Sequence, residues 1–165
     1  MGAGKTTLGR SVARSAGLPF VDLDDAIVAE AGMSVSQIFA AEGEQGFRQR
    51  ETAMLRSLAD TPAIIACGGG TPMQPGNMEL MNSCGNTVWL QATVDRIVAR
   101  LTLYPGDRPL IKGKTGDELR RFVTDALETR SARYGLCLNT FDANRLDDEE
   151  QLADSTARFI ESFIH

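Results

Sequence analysis

The chain opens with Met1-Gly2-Ala3-Gly4-Lys5-Thr6-Thr7, and this run constrains the fold more than any other segment. Glycine, four residues and then Gly-Lys-Ser/Thr form a phosphate-binding loop that leads into a helix. Gly4, Lys5 and Thr6 supply the second half of this pattern, whereas its first glycine would stand one position before the first residue. Gly2 and Gly4 allow backbone N–H groups to turn toward an anion at a helix N-terminus. The run therefore predicts a nucleoside triphosphate site, and the alternative is a flexible start to an ordinary helix.

Individual side chains in this run have predictable roles. Lys5 is long enough to reach the outer phosphates, and the Thr6 hydroxyl can take one octahedral position on Mg²⁺. We therefore expect a magnesium cofactor. The residues predicted to contact the nucleotide here are Gly2, Ala3, Gly4, Lys5, Thr6 and Thr7.

The composition predicts a soluble globular protein. The chain has 165 residues, 42% of them hydrophobic and 24% charged, which is usual for one such domain. No apolar run approaches the roughly 20 residues of a membrane span, and no leader pattern is evident, so we expect a cytoplasmic protein that binds no membrane. A net charge of −5 argues against a nucleic-acid surface, which needs clustered cations.

Residues suited to metal binding or nucleophilic catalysis are sparse. Cys67, Cys84 and Cys137 are odd in number and far apart, so they predict reduced thiols rather than a metal site. The single histidine is the last residue, His165, which argues against histidine-based catalysis. No heptad seam or extended apolar stripe is visible in the sequence, so a monomer is expected.

Hydrophobic periodicity predicts helices that alternate with strands. Helices are expected over residues 5–16, 25–31, 45–59, 75–84, 93–103, 117–133 and 149–164. One more helix is expected to begin after Ser34, its N-cap, and to end at Gly43. Strands are expected over residues 19–24, 63–67, 87–90 and 136–139. Such alternation predicts an α/β fold of three layers, in which helices flank a parallel sheet. We expect a single domain over residues 1–165.

The phosphate-binding loop normally follows a strand, and in this architecture that strand is central. The sequence offers no segment for it, so we expect the sheet to lack its first strand in this chain. A protein made from Met1 is expected to melt at a lower temperature than one extended upstream, because several buried apolar side chains at about 2 kcal/mol each are missing.

Asp22 and Asp24 lie two apart at the predicted end of the first strand, so both are expected on one face. Ligands of open α/β sheets bind at the carboxyl ends of the strands. One carboxylate near Thr6 suits Mg²⁺, and the other could orient a substrate hydroxyl or accept its proton. The alternative is a solvated pair that caps the next helix.

Arg48 and Glu51 lie three apart on a predicted helix and face the same side. An arginine that a glutamate holds in place could present a fixed fork to a substrate carboxylate. Taken alone, the spacing favours a surface salt bridge of small energy.

Gly68-Gly69-Gly70 directly follows a predicted buried strand. Three glycines are costly in backbone entropy, so they are expected where a ligand must approach the main chain closely. Simple loop flexibility is the alternative.

Two further arginines gain meaning only in combination with the other motifs. Arg108 lies in a loop rich in proline, glycine and charge, and a mobile lid there could close over phosphates. Arg130 and Tyr134 lie four apart on a helix.

In chain order the motifs are Gly-Lys-Thr-Thr, Asp-x-Asp, Phe-Arg-x-x-Glu, Gly-Gly-Gly, Arg-Pro-Leu and Arg-x-x-x-Tyr. Their order and spacing, together with residues 38–48, resemble shikimate kinase, a P-loop kinase of the nucleoside-monophosphate-kinase type. The resemblance implies transfer of the γ-phosphoryl group of ATP to the 3-hydroxyl of shikimate, in the biosynthesis of aromatic amino acids.

The resemblance also implies roles for individual residues. Lys5 would contact the β- and γ-phosphates, and Thr6 and Asp22 would hold Mg²⁺. Asp24 would bind the shikimate hydroxyls and serve as the candidate base. The shikimate carboxylate and ring would lie against Arg48, Arg130, Gly69 and Gly70. Arg108 would be the lid arginine, on a lid of about residues 102–116, and Arg100 would flank the adenine. The substrate-binding helices would cover about residues 24–60.

Other functions compete with this one. A kinase of another small hydroxy acid, such as gluconate, would share the phosphate-binding loop without the arginine set. A non-catalytic nucleotide-binding module would bind ATP without substrate-dependent turnover. A nucleotide kinase is disfavoured, because the segment that would hold its second base offers Arg48 and glycines rather than an evident base pocket.

Overall fold

The computed structural model describes residues 2–104 and 109–164, and its helices and strands alternate along the chain. The helices are α1 (Lys5–Ala16), α2 (Leu23–Ala31), α3 (Val35–Ser57), α4 (Asn77–Cys84), α5 (Val94–Leu103), α6 (Gly116–Tyr134) and α7 (Glu149–Phe163), and the strands are β1 (Phe20–Asp22), β2 (Ile64–Ala66), β3 (Val88–Gln91) and β4 (Asn139–Asp142). Short 3-10 helices at Thr71–Met73 and Pro109–Ile111 were not predicted.

The strands form two parallel pairs. β1 pairs with β2, so that Val21 lies opposite Ile65, and β3 pairs with β4, so that Leu90 lies opposite Phe141. Within residues 2–104 and 109–164, no ladder of hydrogen bonds joins β2 to β3. The predicted single sheet is therefore divided into two half-sheets among the described residues. The prediction that the strands are parallel is confirmed within each pair.

Helix ends follow the capping signals of the sequence. The Ser34 hydroxyl accepts from the Gln37 N–H while the Gln37 side chain accepts from the Ser34 N–H, which forms a capping box at the start of α3. Gly43 has φ 71° and ψ −178°, so α3 is kinked where the sequence predicts a break. Because the ladder resumes beyond the kink, the two predicted helices form one bent element.

The predicted last strand at residues 136–139 is wrong by three residues. Tyr134 and Arg133 accept from Cys137 and Leu136 in a turn, and Leu136 and Leu138 stay about half exposed. β4 begins only at Asn139, and it buries a single large apolar side chain, Phe141. The prediction was misplaced because Leu136 and Leu138, which are exposed, make the sequence more apolar there than in the true strand.

Three apolar clusters hold the elements in place. One joins α1 to β4 and α7 through Leu8, Val12 and Phe141, and a hydrogen bond of 2.8 Å from Thr156 to Ser11 links the two helices. The other two lie between α5 and α6 and between α2 and α3. None of the helices that the structure describes is long and apolar enough to cross a membrane. The packing fixes the N-terminus of α1 beside the ends of β1 and β2.

Candidate active site

The phosphate-binding loop runs into α1 without a side-chain cap. Gly4, the residue before the helix, has φ 94° and ψ 15°, and as a glycine it provides no side-chain cap. A Cβ atom at Gly4 would overlap the Leu146 side chain, and its left-handed backbone also favours glycine. The first turn of α1 contains no acidic residue. A helix N-terminus without a carboxylate in its first turn suits a phosphate.

Thr6 and Asp22, the predicted magnesium pair, lie together. The Thr6 hydroxyl donates to Asp22 Oδ2 at 3.0 Å, and Asp22 Oδ1 accepts from the Asp24 N–H at 3.2 Å. Mg²⁺ in nucleotide sites takes only one or two protein oxygens beside phosphates and water. The donor set therefore fits this metal, although no cluster of three or more acidic, cysteine or histidine residues occurs in the described chain.

The sequence predicted Asp24 at the end of a strand, but the structure places it on a helix. β1 ends at Asp22, whose side chain caps α2, and Asp24 lies in the first turn of that helix. Asp24 Oδ1 is buried and has no hydrogen-bond partner among the described residues. Burial first, and then the charges of Asp22 and Glu51, raise the pKa of Asp24, while Lys5 and Arg48 oppose the shift. A shielded carboxylate with an unused oxygen is suited to orient a hydroxyl group.

Arg48 is held by a buried glutamate, so a surface salt bridge is the wrong interpretation. Arg48 Nη1 donates to Glu51 Oε2 at 2.6 Å, and Nη2 donates to Glu44 Oε1 at 3.1 Å. The Glu51 side chain is 0% exposed and that of Arg48 is 13% exposed. Burial alone would lower the pKa of Arg48, but the hydrogen bonds and charges of the two glutamates raise it. The guanidinium is fixed in orientation and stays charged.

Thr71 completes this arrangement, and the sequence did not single it out. Its hydroxyl donates to Glu51 Oε1 at 2.6 Å, and its carbonyl accepts from Asn77 Nδ2 at 2.9 Å. Thr71, Asn77 and Glu51 are all 0% exposed. The only sequence signal for Thr71 is its place directly after the glycine triplet.

The glycine triplet allows protein side chains to approach the backbone. A Cβ atom at Gly70 would lie 2.5 Å from Arg48 Cζ and Nη1, and one at Gly68 would lie 2.8 Å from Glu51 Oε1. Gly70 has φ −92°, which any residue can adopt, so its conformation does not require glycine. The predicted approach of a ligand to this backbone stays a prediction, whereas the side chains of Arg48 and Glu51 do approach it closely.

Tyr134 fixes the middle of the triplet. Its hydroxyl donates to the Gly69 carbonyl at 2.6 Å, and its ring meets Trp89 edge-on at 5.7 Å between centroids. Burial raises the pKa of Tyr134, while the nearby Arg130 opposes the shift. Arg130 lies one turn before Tyr134 on α6 and borders the same cleft as Lys5 and Gly69. The structure thus brings Arg130 to the predicted region.

Arg100 braces the phosphate-binding loop. It donates to Asp147 Oδ1 at 2.9 Å, to the Ala143 carbonyl at 2.9 Å, to the Asn144 carbonyl at 3.2 Å and to the Ala3 carbonyl at 3.5 Å. Its predicted adenine contact stays a prediction. Arg108, the expected lid arginine, lies outside the described residues.

Known proteins resemble this chain in sequence and in fold. The model of the shikimate kinase family matches residues 1–161. The chain is 44% identical over 155 residues to a shikimate kinase of Parabacteroides distasonis, covering 93% of this chain and 90% of the relative. It is 41% identical over 162 residues to one of Bacteroides thetaiotaomicron, covering 98% and 93%.

Solved structures agree with this. The crystal structure of shikimate kinase from Bacteroides thetaiotaomicron is similar at a TM-score of 0.93 and 40% identity, covering 98% of this chain and 93% of that one. Shikimate kinase from Acinetobacter baumannii in complex with shikimate is similar at 0.84 and 31% identity, covering 98% and 87%. These likenesses confirm the predicted P-loop α/β fold and favour none of the competing functions. The chain belongs to the shikimate kinase family.

Proposed function

We propose that this chain transfers the γ-phosphoryl group of ATP to the 3-hydroxyl group of shikimate, giving ADP and shikimate 3-phosphate. The observation that carries the proposal is the buried Asp24 Oδ1, which has no partner among the described residues and belongs to a carboxylate close enough to both Lys5 and Arg48 for their charges to act on it. A hydroxy acid bound to Arg48 would thus lie near the Asp24 carboxylate.

The carboxylate of shikimate would bind at the arginine end of the site. Arg48 and Arg130 would supply the planar donors, and the Gly69-Gly70 backbone would lie against the ring. A guanidinium matches a carboxylate in charge and in bidentate geometry, which fixes the ring's orientation. The contact of Glu51 with Arg48 holds the fork in place before the substrate arrives.

Asp24 would accept a hydrogen bond from the 3-hydroxyl and then its proton. Catalysis of phosphoryl transfer depends largely on positioning and electrostatics, so orientation of the attacking oxygen by Asp24 would contribute in addition to proton acceptance. The raised pKa of Asp24 brings the carboxylate closer to the acidity at which a general base works at neutral pH.

The phosphates of ATP would lie at the N-terminus of α1. Gly2, Ala3, Gly4, Thr7 and the other N–H groups of this loop would cradle them, while Lys5 would neutralise charge on the transferring group. Arg108 would approach the same phosphates from the lid, and Arg100 would border the adenine.

Thr6 and Asp22 would hold Mg²⁺, whose chemistry is to neutralise and align the phosphate oxygens. Thr6 would ligate it through its hydroxyl, and the Asp22 carboxylate would act through water. A monomeric state and a cytoplasmic location stay predictions, as do the substrate helices near 24–60 and the lid near 102–116.

The test is a conservative change of Arg48. Arg48→Lys keeps a cation beside Glu51 but removes the planar fork. We expect KM for shikimate to rise about 10- to 100-fold, since a hydrogen bond to a charged group contributes about 1.5–3 kcal/mol. KM for ATP should stay unchanged.

Arg50→Lys is the matched control. Arg50 lies on the same helix and contacts Glu42 at 2.7 and 2.8 Å, away from the site. Equal KM values for shikimate in the two variants would contradict the proposed role of Arg48. Turnover that needs no shikimate would contradict the proposed reaction.

A further inference from the structure

The phosphate-binding loop packs against α5 and against the 143–147 segment, which lies between β4 and α7. A Cβ atom at Gly2 would lie 3.0 Å from Ile97 Cγ2 of α5. A Cβ atom at Gly4 would overlap the side chain of Leu146, which is buried in the 143–147 segment. Because these contacts leave little space on one side of the loop, the position of the loop depends on how α5 and the 143–147 segment are held together.

Arg100 of α5 joins these parts through one guanidinium group. Nη1 donates to the Ala143 carbonyl at 2.9 Å and to the Ala3 carbonyl at 3.5 Å, and Nη2 donates to the Asn144 carbonyl at 3.2 Å. With the bond from Nε to Asp147, four of its five N–H groups have partners in the protein. The Ala3 contact is the longest of these bonds, so it depends most on the orientation of the guanidinium.

Asp147 fixes that orientation from the far side of the guanidinium. Its Oδ1 accepts from Arg100 Nε at 2.9 Å, and its Oδ2 accepts from Arg96 Nη1 at 2.6 Å. Arg96 and Arg100 are one turn apart on α5, so a single carboxylate contacts both. The side chain of Arg100 is 13% exposed, whereas that of Arg96 is 53% exposed. The inner contact is therefore the shielded one, and the outer contact is an exposed ion pair of small energy.

We propose that Asp147 is a positioning residue for the nucleotide phosphates, a role that rests on the proposed function because it assigns those phosphates to ATP. Asp147 orients Arg100, and Arg100 holds Ala3 and the 143–147 segment in the places that shape the loop. Because the link ends at the loop, a change at Asp147 weakens the binding of any triphosphate, with or without a base. The binding of shikimate at the other end of the site is unaffected.

The test compares the binding of Mg-ATP with that of Mg-tripolyphosphate, which has the phosphates but no base, by isothermal titration calorimetry. Asp147→Asn removes the charge and keeps the shape of the side chain. We expect both Kd values to rise about 10-fold, within the range for residues of one salt-bridge network, while KM for shikimate stays unchanged. Arg96→Gln is the matched control, because it removes only the exposed contact with the same carboxylate. Both of its Kd values should stay within about twofold of the parent.

Two further measurements show whether Asp147 acts through Arg100 and on the loop. In an Arg100→Lys background, Asp147→Asn should change Kd for tripolyphosphate less than about twofold, because the planar fork that it orients is gone. The Leu8 N–H, which donates to the Gly4 carbonyl at 2.9 Å, closes the first turn of α1. In the ligand-free protein its hydrogen exchange, followed by NMR, should be at least about threefold faster in Asp147→Asn than in Arg96→Gln.

Three results would overturn the role of Asp147. These are a rise in Kd for ATP without one for tripolyphosphate, which would assign the effect to the base, additive effects of the changes at Asp147 and Arg100, and equal exchange of the Leu8 amide in the two single variants. Failure of the parent to phosphorylate shikimate would contradict the proposed function alone, since neither binding nor hydrogen exchange requires turnover.

Discussion

Replacing Glu51 with glutamine isolates the buried contact that orders the substrate end of the site. The change removes one negative charge while the shape of the side chain is kept. Glu51 is 0% exposed and accepts from Arg48 and from Thr71, both at 2.6 Å. Loss of one partner from a buried ion pair costs about 3–5 kcal/mol, because the other charge is left buried.

We expect Glu51→Gln to cost less than the usual figure of about 3–5 kcal/mol for a broken buried ion pair. Arg48 is 13% exposed and keeps its second contact with Glu44 at 3.1 Å, so its charge is partly compensated. We therefore expect the free energy of unfolding to fall by about 2–3 kcal/mol. For a chain of this size the melting temperature should drop by about 5–10 °C. Urea unfolding followed by circular dichroism measures the first quantity, and thermal unfolding the second.

Glu44→Gln is the matched control, because Glu44 contacts the same guanidinium from solvent. Its side chain is 63% exposed, and exposed ion pairs contribute about 0–1 kcal/mol. KM for shikimate should rise in Glu51→Gln, since Arg48 loses its fixed orientation, and should change little in Glu44→Gln. Equal losses of stability in the two variants would refute the argument that burial, rather than proximity, makes Glu51 important.

The remaining predictions concern the glycine triplet and Asp24. Gly70→Ala should raise KM for shikimate about 100-fold, because the new Cβ would lie 2.5 Å from Arg48 Cζ and push the guanidinium away, and a misplacement of about 1 Å has effects of this size. Gly85→Ala is the control and should leave KM unchanged, since its Cβ would meet only the Met81 carbonyl oxygen, at 4.0 Å. Steady-state kinetics of both variants measures the difference. Asp24→Asn should lower kcat by about 10²–10⁴-fold in the same assay. Folding raises the pKa of Asp24 above its ordinary value of 3.8. Protonated Asp24 therefore contributes to the free energy of unfolding in full below pH 3.8, and this contribution is lost as the pH rises through the folded pKa. Asp24→Asn should therefore be more stable than the parent at pH 7, with a difference that shrinks toward pH 3.8; a difference that is constant with pH, measured by urea unfolding, would contradict the assigned shift.

Local signals in the sequence were enough to predict the helices. α1 was predicted with both of its ends, because apolar residues recur on one face and Gly17, with φ 67°, stops it. The kink at Gly43 and the cap at Ser34 follow from single residues and their immediate neighbours. These features depend on interactions within a few residues, which a sequence displays directly.

Strand positions and the substrate end of the site depend on tertiary contacts and were predicted less well. Leu136 and Leu138 suggested a strand, but burial selects Phe141 instead. The spacing of Arg48 and Glu51 predicted their contact, whereas the hydrogen bond that the buried Glu51 accepts from Thr71, 20 residues further along the chain, could not be read from spacing. Asp24 was assigned to a strand because the spacing of the two aspartates did not show that Asp22 caps the next helix and so ends the strand.

The identity of the product tests the proposed reaction most directly. A preparation shown to be folded by circular dichroism is incubated with ATP, Mg²⁺ and shikimate, and the products are examined by phosphorus NMR. The account predicts ADP together with a phosphomonoester whose phosphorus couples to the ring proton at carbon 3. ADP accompanied only by inorganic phosphate, or a phosphate on another hydroxyl, would contradict it.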